Sequence, residues 1–447
     1  MSLFRAKLPP NAEMWLNVRL LPVLTLLSAV LFLISPYRGF TVLLIGLGGL
    51  WLIGFVWTRA LALGLSLQRE VRYGWAQVGD RLEERFTVLN DSIFPASWVR
   101  IGDDSDLPGH RVSQVRYAGP LSQTQWRVSS VCGRRGLYTL GPTRLETGDP
   151  FGVYTLCLED PSTATLMVTP PVVPLPTIQI APGGRVGGEI PRVDAPERTV
   201  SAVSVREYIP GDSLRWIHWP TSARRGDLYV RIFEGAPAGD WWILLDLNED
   251  VQAGDGADST LEHGVILAAS LADQGIRDGR SVGVVASSGT GMDERLLWLP
   301  PRMSDDQRWE ILRGLALVEP GERPLSDLLD IARPSLRQRT SLIVITPSVE
   351  GAWPEALLAY RRRGIVPTVL LFDPHTFGAP QTTDKLDAAL SHLGIAHEII
   401  SSDLLDQSET QPGRAGHWEW RVTPLGRAVP VDQPADLSWR DLDQAQR

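Results

Sequence analysis

Two stretches of this sequence carry side chains that can do chemistry at short, regular intervals. One is Asp246-Leu247-Asn248-Glu249-Asp250, where alternate residues bear oxygen. Donors at Asp246, Asn248 and Asp250 suit a hard divalent cation, Mg²⁺ or Ca²⁺. Three donors on one loop do not close a metal site alone, and a solvated acidic loop is the competing reading. The other stretch is Val203–Glu234, VSVREYIPGDSLRWIHWPTSARRGDLYVRIFE. It gathers Arg206, Glu207, Asp212, Arg215, His218, Ser222 and Arg224 among Tyr208, Trp216 and Trp219. Pro210-Gly211-Asp212 reads as a turn, because proline presets φ and glycine accepts φ > 0. Arginine stacks on tryptophan and pairs with carboxylates, so the segment either braces two domains or lines a pocket. Bracing implies a buried cluster of Arg206, Asp212 and Arg215 packed by Trp216 and Trp219, since buried charges persist only when paired. His218 can titrate near neutral pH, but no nucleophile is paired with it in the sequence.

Other chemistries find no footing. Neither of the two lysines, Lys7 and Lys385, sits in a GxxxxGK[ST] loop, so the chain has no P-loop of its own. There is no G-x-S-x-G, H-E-x-x-H or Cys-His pattern. Cys132 and Cys157 are too few for a disulfide framework and lack zinc spacing, so they read as reduced thiols. Net charge is −9 over 447 residues, unevenly spread. Residues 1–72 hold seven Arg/Lys against two Asp/Glu, and the remainder 36 against 50. An acidic body argues against a nucleic-acid partner.

The elements that must position these residues begin with two uncharged runs, Leu20–Tyr37 and Gly39–Thr58, of 18 and 20 residues. Each is about long enough to cross a ~30 Å hydrocarbon core at ~1.5 Å per residue. Tyr37 and Trp57 sit near the run ends, where interfacial rings belong. A cleavable signal peptide would leave the second run without a role. Arg5, Lys7 and Arg19 precede the pair, Arg59, Arg69 and Arg72 follow it, and only Arg38 lies between. By the positive-inside rule both ends face the cytoplasm, making this a multi-pass protein of the cell (inner) membrane with cytoplasmic soluble domains.

From about Leu67 to Pro176, short apolar alternations broken by Gly, Pro, Asp and Asn predict a small antiparallel β-sandwich. Candidate strands are Arg85–Leu89, Trp98–Ile101, Gln125–Val131, Gly136–Leu140 and Ala164–Thr169. Gly136, Gly141 and Gly152 would serve turns, and Phe151 would plug the sandwich. A Pro/Gly linker, 177–202, leads to the 203–234 segment, which starts and ends in strand-like runs. From Trp241, strands alternate with amphipathic helices, the pattern of a mainly parallel sheet covered on both faces. Ser259-x-x-Glu262 and Ser304-x-x-Gln307 are capping boxes, and Gly275 is expected to end the first helix. The α/β domain is bounded at 235–405, and a polar tail at 406–447 has one possible strand near Trp418–Val422 and disorder beyond 428.

Arg206-Glu207-Tyr208, Pro210-Gly211-Asp212, Arg215, the aromatic centre Trp216–Trp219 and Ser222-Ala223-Arg224 occur in the order found in the domain of unknown function 58 family. The segment closely resembles that signature. Arg134-Arg135-Gly136-Leu137-Tyr138, Gly141-Pro142 and Asp149-Pro150-Phe151-Gly152 resemble the same family's front region. The Asp246 loop looks like the first metal loop of a von Willebrand factor A domain, Asp-x-Ser-x-Ser, with Asn248 and Asp250 in place of the serines. It departs from that pattern where Thr346-Pro347-Ser348 stands for an expected aspartate and Arg323-Pro324-Leu325-Ser326 for an expected threonine. The resemblance implies three parts: an N-terminal transmembrane helical hairpin (1–66), a β-sandwich, and a C-terminal α/β doubly wound, von Willebrand factor A-like domain. It also implies a protein partner, a MoxR-type AAA+ ATPase, in chaperone-like or cell-envelope assembly. The expected function is thus a non-enzymatic membrane-anchored scaffold or adaptor. The alternative is a metal-assisted hydrolase or transferase with its site between the signature and the Asp246 loop.

Overall fold

The computed structural model describes residues 8–72, 74–175, 178, 180–181, 202–208, 217–233, 240–337, 340–406, 419–422, 428–432 and 440–441. The chain divides into two units, residues 1–169 with 413–447, and residues 170–412.

In the first unit, β1 (Ala12–Leu16) leads directly into α1 (Leu20–Ile34) and α2 (Arg38–Gly64). Then come β2 (Leu65–Val71), β3 (Trp75–Gln77), β4 (Arg81–Asn90), β5 (Ala96–Asp103), β6 (Gln114–Ala118) and β7 (Ser122–Val131). The unit continues with β8 (Gly136–Leu140), β9 (Thr143–Gly148), β10 (Tyr154–Asp160) and β11 (Ala164–Thr169). The order β1-β10-β9-β5-β6 makes one sheet, and β2-β4-β7 lie in a second. Phe86, Val88 and Trp126 from the second sheet share one core with Val99, Ile101, Leu145 and Leu156 from the first. Strands β3, β11 and β8 form a third, smaller sheet. All five strands read from sequence are present. Most of the unread ones are interrupted by charged or polar residues: β2, for example, is LSLQREV.

The second apolar helix outruns its uncharged stretch for a physical reason. Its last turns bury Thr58, Leu61 and Ala62 against the β core, and Trp57 Nε1 donates to Pro95 O at 3.0 Å. Among the described residues, α2 is the one helix long and apolar enough to cross a membrane; α1 has 15 residues. Two sequence readings need correction here. Arg69, counted with the basic residues flanking the apolar runs, is fully buried and ion-paired with Glu84 and Asp103. Phe151, expected to plug the core, is 56% exposed.

The second unit opens inside the stretch read as the end of the β-sandwich: Val173 is buried and its N–H donates to Ser270 Oγ at 3.0 Å. The first part of the segment read as a linker packs as well: Ile178 is buried, and Ser341 Oγ donates to Ala181 O at 2.9 Å. Residues 182–201 lie outside the described set. The signature then forms a two-stranded ribbon of β12 (Ala202–Glu207) and β13 (Tyr229–Phe233), with α3 (Trp219–Arg225) between them.

Beyond it come β14 (Trp241–Leu245), α4 (Thr260–Arg277), β15 (Val282–Ser288), β16 (Arg295–Arg302), α5 (Asp305–Ala316) and α6 (Leu325–Ala332). The unit closes with β17 (Ser341–Thr346), α7 (Trp353–Arg362), β18 (Val366–Phe372), α8 (Asp384–His392) and β19 (Ala396–Ile400). The six-stranded sheet has the order β16-β15-β14-β17-β18-β19. Neighbours are parallel except for the antiparallel edge strand β16. Alternation along β14 explains the two layers. Trp241, Ile243 and Leu245 face a core shared with α4 and α5, while Trp242 and Leu244 face α6, α7 and α8. Ser259 and Ser304 cap α4 and α5 by accepting from the N–H groups of Glu262 and Gln307. Gly275 does not end α4, which continues to Arg277 before Gly279 turns the chain at φ 73°. In the C-terminal stretch, β20 (Glu419–Val422) pairs with β21 (Ala428–Asp432), and β22 (Arg440–Asp441) pairs with β2. The last two fall in the stretch read as a disordered tail.

Candidate functional site

In the signature, backbone pairing sets Arg206 opposite Val230 and Glu207 opposite Tyr229. Pro210, Gly211, Asp212, Arg215 and Trp216 lie outside the described residues, as do the side chains of Arg206 and Glu207. The predicted charge cluster is therefore not described. Its proposed packing partner Trp219 is 65% exposed, which removes it from any buried core. His218 is a helix cap: its ring accepts from Thr221 N at the start of α3. Ser222 ties the ribbon to that helix, donating to His218 O at 3.1 Å and accepting from Tyr229 N at 2.9 Å. Arg224 is exposed and Tyr208 half-buried. The described part of the signature thus builds an antiparallel two-stranded ribbon with a short helix packed against it.

The Asp246 loop has a more pointed geometry. Strand β14 lies between β15 and β17, where the strand order reverses, and ligands of open α/β sheets bind beyond the carboxyl ends at such a reversal. Asp246 follows β14 and Thr346 ends β17. The Thr346 hydroxyl donates to Asp246 Oδ2 at 2.7 Å, and Asn248 N donates to Oδ1 at 3.1 Å. Asn248 Oδ1 accepts from Asp250 N at 3.0 Å. Gln252 clamps the loop from below, its Nε2 donating to the carbonyls of Asp246 and Asn248 at 3.1 and 3.2 Å. Burial pushes the Asp246 carboxyl up to about 6, against the pull of the Thr346 and Asn248 hydrogen bonds.

Sequence reading missed two members of this cluster. Thr346 stood out only as a departure from a pattern, yet it is the direct partner of Asp246. Gly321 threads between neighbouring loops: its N–H donates to Leu247 O and its carbonyl accepts from Glu249 N, both at 2.8 Å. A Cβ there would meet Ser287 O at 2.9 Å, so the Pro320-Gly321 pair was the available signal. On the rim, Glu294 accepts from Ser287 Oγ and Arg323 Nε at 2.9 and 2.7 Å, and the Arg323 bond holds its carboxyl below the ordinary range. Glu249 and Asp250 are exposed, and Met292 is fully so.

As arranged, the loop does not fit a divalent ion. Both Asp246 oxygens accept protein hydrogen bonds, the Asn248 oxygen is turned onto a backbone N–H, and Asp250 stands in solvent. Among the described residues, no three His, Cys, Asp or Glu side chains are placed to share a metal.

A second titratable cluster lies in the first unit. Arg69 meets Glu84 Oε1 at 2.8 Å and Asp103 Oδ1 at 2.5 Å, and also donates to Thr143 Oγ1 at 3.0 Å. His110 Nε2 lies 3.0 Å from Glu84 and 3.2 Å from Asp103, and its Nδ1 reaches Ser130 Oγ at 2.7 Å. Burial alone would lower the His110 pKa, but hydrogen bonds and charge from Asp103 and Glu84 overcome it and hold it at about 9. The four side chains are at most 4% exposed, so the cluster is internal structure rather than an open site.

The chain is 27% identical to the uncharacterized protein YeaD of Bacillus subtilis (strain 168) over 32% of its own length and 33% of that protein's. It is 23% identical to the uncharacterized protein Rv1480 of Mycobacterium tuberculosis (strain ATCC 25618 / H37Rv), over 40% of this chain and 57% of that one. The matches thus span between a third and a little over half of these relatives. Among solved structures, proximal thread matrix protein 1 from the mussel byssus aligns over 37% of this chain and 44% of its own, at 15% identity. The TM-score there is 0.27. The family described as Protein of unknown function DUF58 matches residues 204–386, from the signature ribbon through the Asp246 loop to α8. Through that region, about two fifths of its length, the chain is similar to the DUF58 family.

Proposed function

We propose that the chain is a multi-pass inner-membrane protein with cytoplasmic soluble units, acting as a scaffold or adaptor for a MoxR-type AAA+ ATPase in chaperone-like or cell-envelope assembly. In this reading α1 and α2 are a transmembrane hairpin and residues 67–176 a β-sandwich. Residues 235–405 are a von Willebrand factor A-like domain that docks the partner. The observation that carries the reading is the loop cluster at the carboxyl ends of β14, β15 and β17. Its buried polar groups satisfy one another, while its rim presents Met292, Glu249 and Asp250 to solvent. Such a rim offers an adaptable apolar anchor beside negative charge, which suits protein docking better than small-molecule turnover. The test mixes the full chain in vesicles with the MoxR-type ATPase of the same genome and measures binding and ATP hydrolysis. Met292→Asp should weaken binding by about tenfold or more, as loss of a central anchor does, without moving the melting temperature. Binding unchanged in both Met292→Asp and Asp250→Arg would place docking elsewhere. No binding by the parent chain would remove the adaptor reading. The metal-assisted hydrolase or transferase reading draws on the near-neutral Asp246 carboxyl. It would gain if millimolar Mg²⁺ or Ca²⁺ raised the melting temperature of the parent chain by mass action and Asp246→Ala abolished the rise.

A further inference from the structure

The foot of the helix pair is built to present apolar side chains. The Asp149 carboxylate, 1% exposed, accepts from the N–H groups of Phe151, Val153 and Tyr154 at 2.8, 3.3 and 2.5 Å. Asn17 closes the other side: its N–H donates to Val153 O at 2.8 Å and its side chain to Gly152 O at 3.2 Å. Gly152 takes φ 70°, which this turn requires and other residues rarely adopt. All this fixes a turn whose tip, Phe151, is 56% exposed. Beside it, Trp15 near the end of β1 and Val18 in the β1–α1 connection are 45% and 42% exposed. A rigid turn that holds an aromatic ring outward serves no packing purpose within the unit.

The helices emerge from this same foot. Leu21 of α1 packs with Val153 and Tyr154, and Leu50, Trp51 and Phe55 of α2 join them. Trp51 Nε1 donates to the Tyr154 hydroxyl at 2.7 Å, and a Cβ at Gly54 would meet Val153 at 3.3 Å. Only residues 22–34 of α1 extend beyond the foot, about 20 Å at 1.5 Å per residue. That falls short of a hydrocarbon core of about 30 Å. The shortfall is about the depth, 5–10 Å, to which apolar faces sink at a membrane interface.

The geometry points to the foot itself as a lipid seat. Phe151, Trp15 and Val18 enter the headgroup–acyl boundary, supplying the depth that the helix pair lacks and holding the β-rich unit flat on the bilayer. This rests on the membrane-anchor reading above and goes beyond it, because a hairpin alone requires no residue of the β-rich unit to enter lipid. Lipid is the occupant because the patch is continuous with the exposed apolar faces of α1 and α2: Leu20, Val23, Leu24 and Leu52 are 44–69% exposed.

The test uses the full chain reconstituted into phosphatidylcholine–phosphatidylglycerol vesicles. The buried native thiols Cys132 and Cys157 are replaced by alanine. Single cysteines are placed at Phe151, at Ile34 near the tip of the pair, and at Val131 at the far end of β7. Each carries an environment-sensitive fluorophore, and spin-labelled lipids quench at shallow or deep positions. The expected result is a blue-shifted label at 151 quenched best by the shallow lipid, a quenched label at 34, and a water-exposed, unquenched label at 131. A label at 151 that behaves like the one at 131 while 34 is quenched overturns the seat and leaves the anchor standing. Labels at both 34 and 151 unquenched overturn anchor and seat together. Thermal unfolding in detergent, unchanged by Phe151→Cys, shows that the label reports on a folded unit.

Discussion

Asp246 and His110 are displaced from their ordinary pKa in the same direction by opposite causes. Asp246 is raised because burial penalises its charge. Its neutral form is favoured in the fold, so its contribution to stability is full below an unfolded value near 3.8 and is lost as pH rises through about 6. Asp246→Asn keeps an acceptor for Asn248 N–H and a polar partner for Thr346, without the charge. It should raise the urea midpoint at pH 7.5 by the equivalent of about 1–3 kcal/mol, since one pKa unit is about 1.4 kcal/mol. The gain should vanish near pH 4, and a variant no more stable than the parent at pH 7.5 would mean that the charged form is compensated. His110 is raised because Asp103 and Glu84 reward its charge. Its contribution is full below 6.5 and lost as pH climbs through about 9, so the parent should lose stability between pH 7 and 10 and His110→Gln should flatten that slope. Arg69→Met should cost about 3–5 kcal/mol, because it leaves buried Glu84 and Asp103 without their main counter-charge. An Arg69→Met midpoint close to that of the parent would reassign the network to a minor role.

At the scale of elements, local rules located most of the second unit and failed where packing overruled them. The capping boxes at Ser259 and Ser304 and the apolar runs of β14, β15, β17 and β18 were legible, because caps and buried parallel strands leave strong local marks. Gly275 misled for a tertiary reason. It sits inside α4, where a Cβ would come 2.7 Å from the Trp241 ring and 2.8 Å from Val282. Helix propensity alone makes Gly275→Ala favourable by about 0.8–1.0 kcal/mol. Overpacking of a filled core costs about 1–3 kcal/mol, so the net effect should be destabilising, read as a lower melting temperature. A stabilised variant would show that α4 can shift away from β14 at little cost. The Asp246–Thr346 pair was illegible because its members are 100 residues apart and meet only when β14 and β17 become neighbours. Thr346 carries no local sign of that role. Phe151 was misassigned because an aromatic ring beside Pro and Gly reads as a core plug, whereas Asp149 holds it outward.

At the scale of the whole molecule, the connection between the β-rich unit and the helix pair bears on topology without reference to charge. Strand β1, before α1, pairs with β10 over five residues, and β2, after α2, pairs with β4 over seven. Both ends of the pair are thereby tied into the same unit. If α2 crossed the membrane alone, α1 and β1 would be left on opposite sides of it from β10, and the β1–β10 ladder would have to break. Each backbone hydrogen bond lost there would cost about 0.5–1.5 kcal/mol net. The anchor proposed above therefore requires an even number of crossings, or none. The arginine asymmetry then chooses the side, and it does so without Arg69, whose charge is neutralised inside the fold. In intact cells, a cysteine at Tyr37, between α1 and α2, should react with an impermeant thiol reagent. Cysteines at Val131 and at Arg81, whose positions pair across β7 and β4, should react only after lysis. Labelling at all three positions in intact cells would place the soluble unit outside. Protection at Tyr37 with reaction at Val131 and Arg81 would reverse the orientation, and protection at all three with co-sedimentation in the membrane fraction would mean that the pair enters one leaflet and turns back. Reaction at Tyr37 and Val131 on the two opposite sides, together with a cross-linkable β1–β10 pair such as Met14→Cys with Leu156→Cys, would establish that both helices cross with the ladder intact.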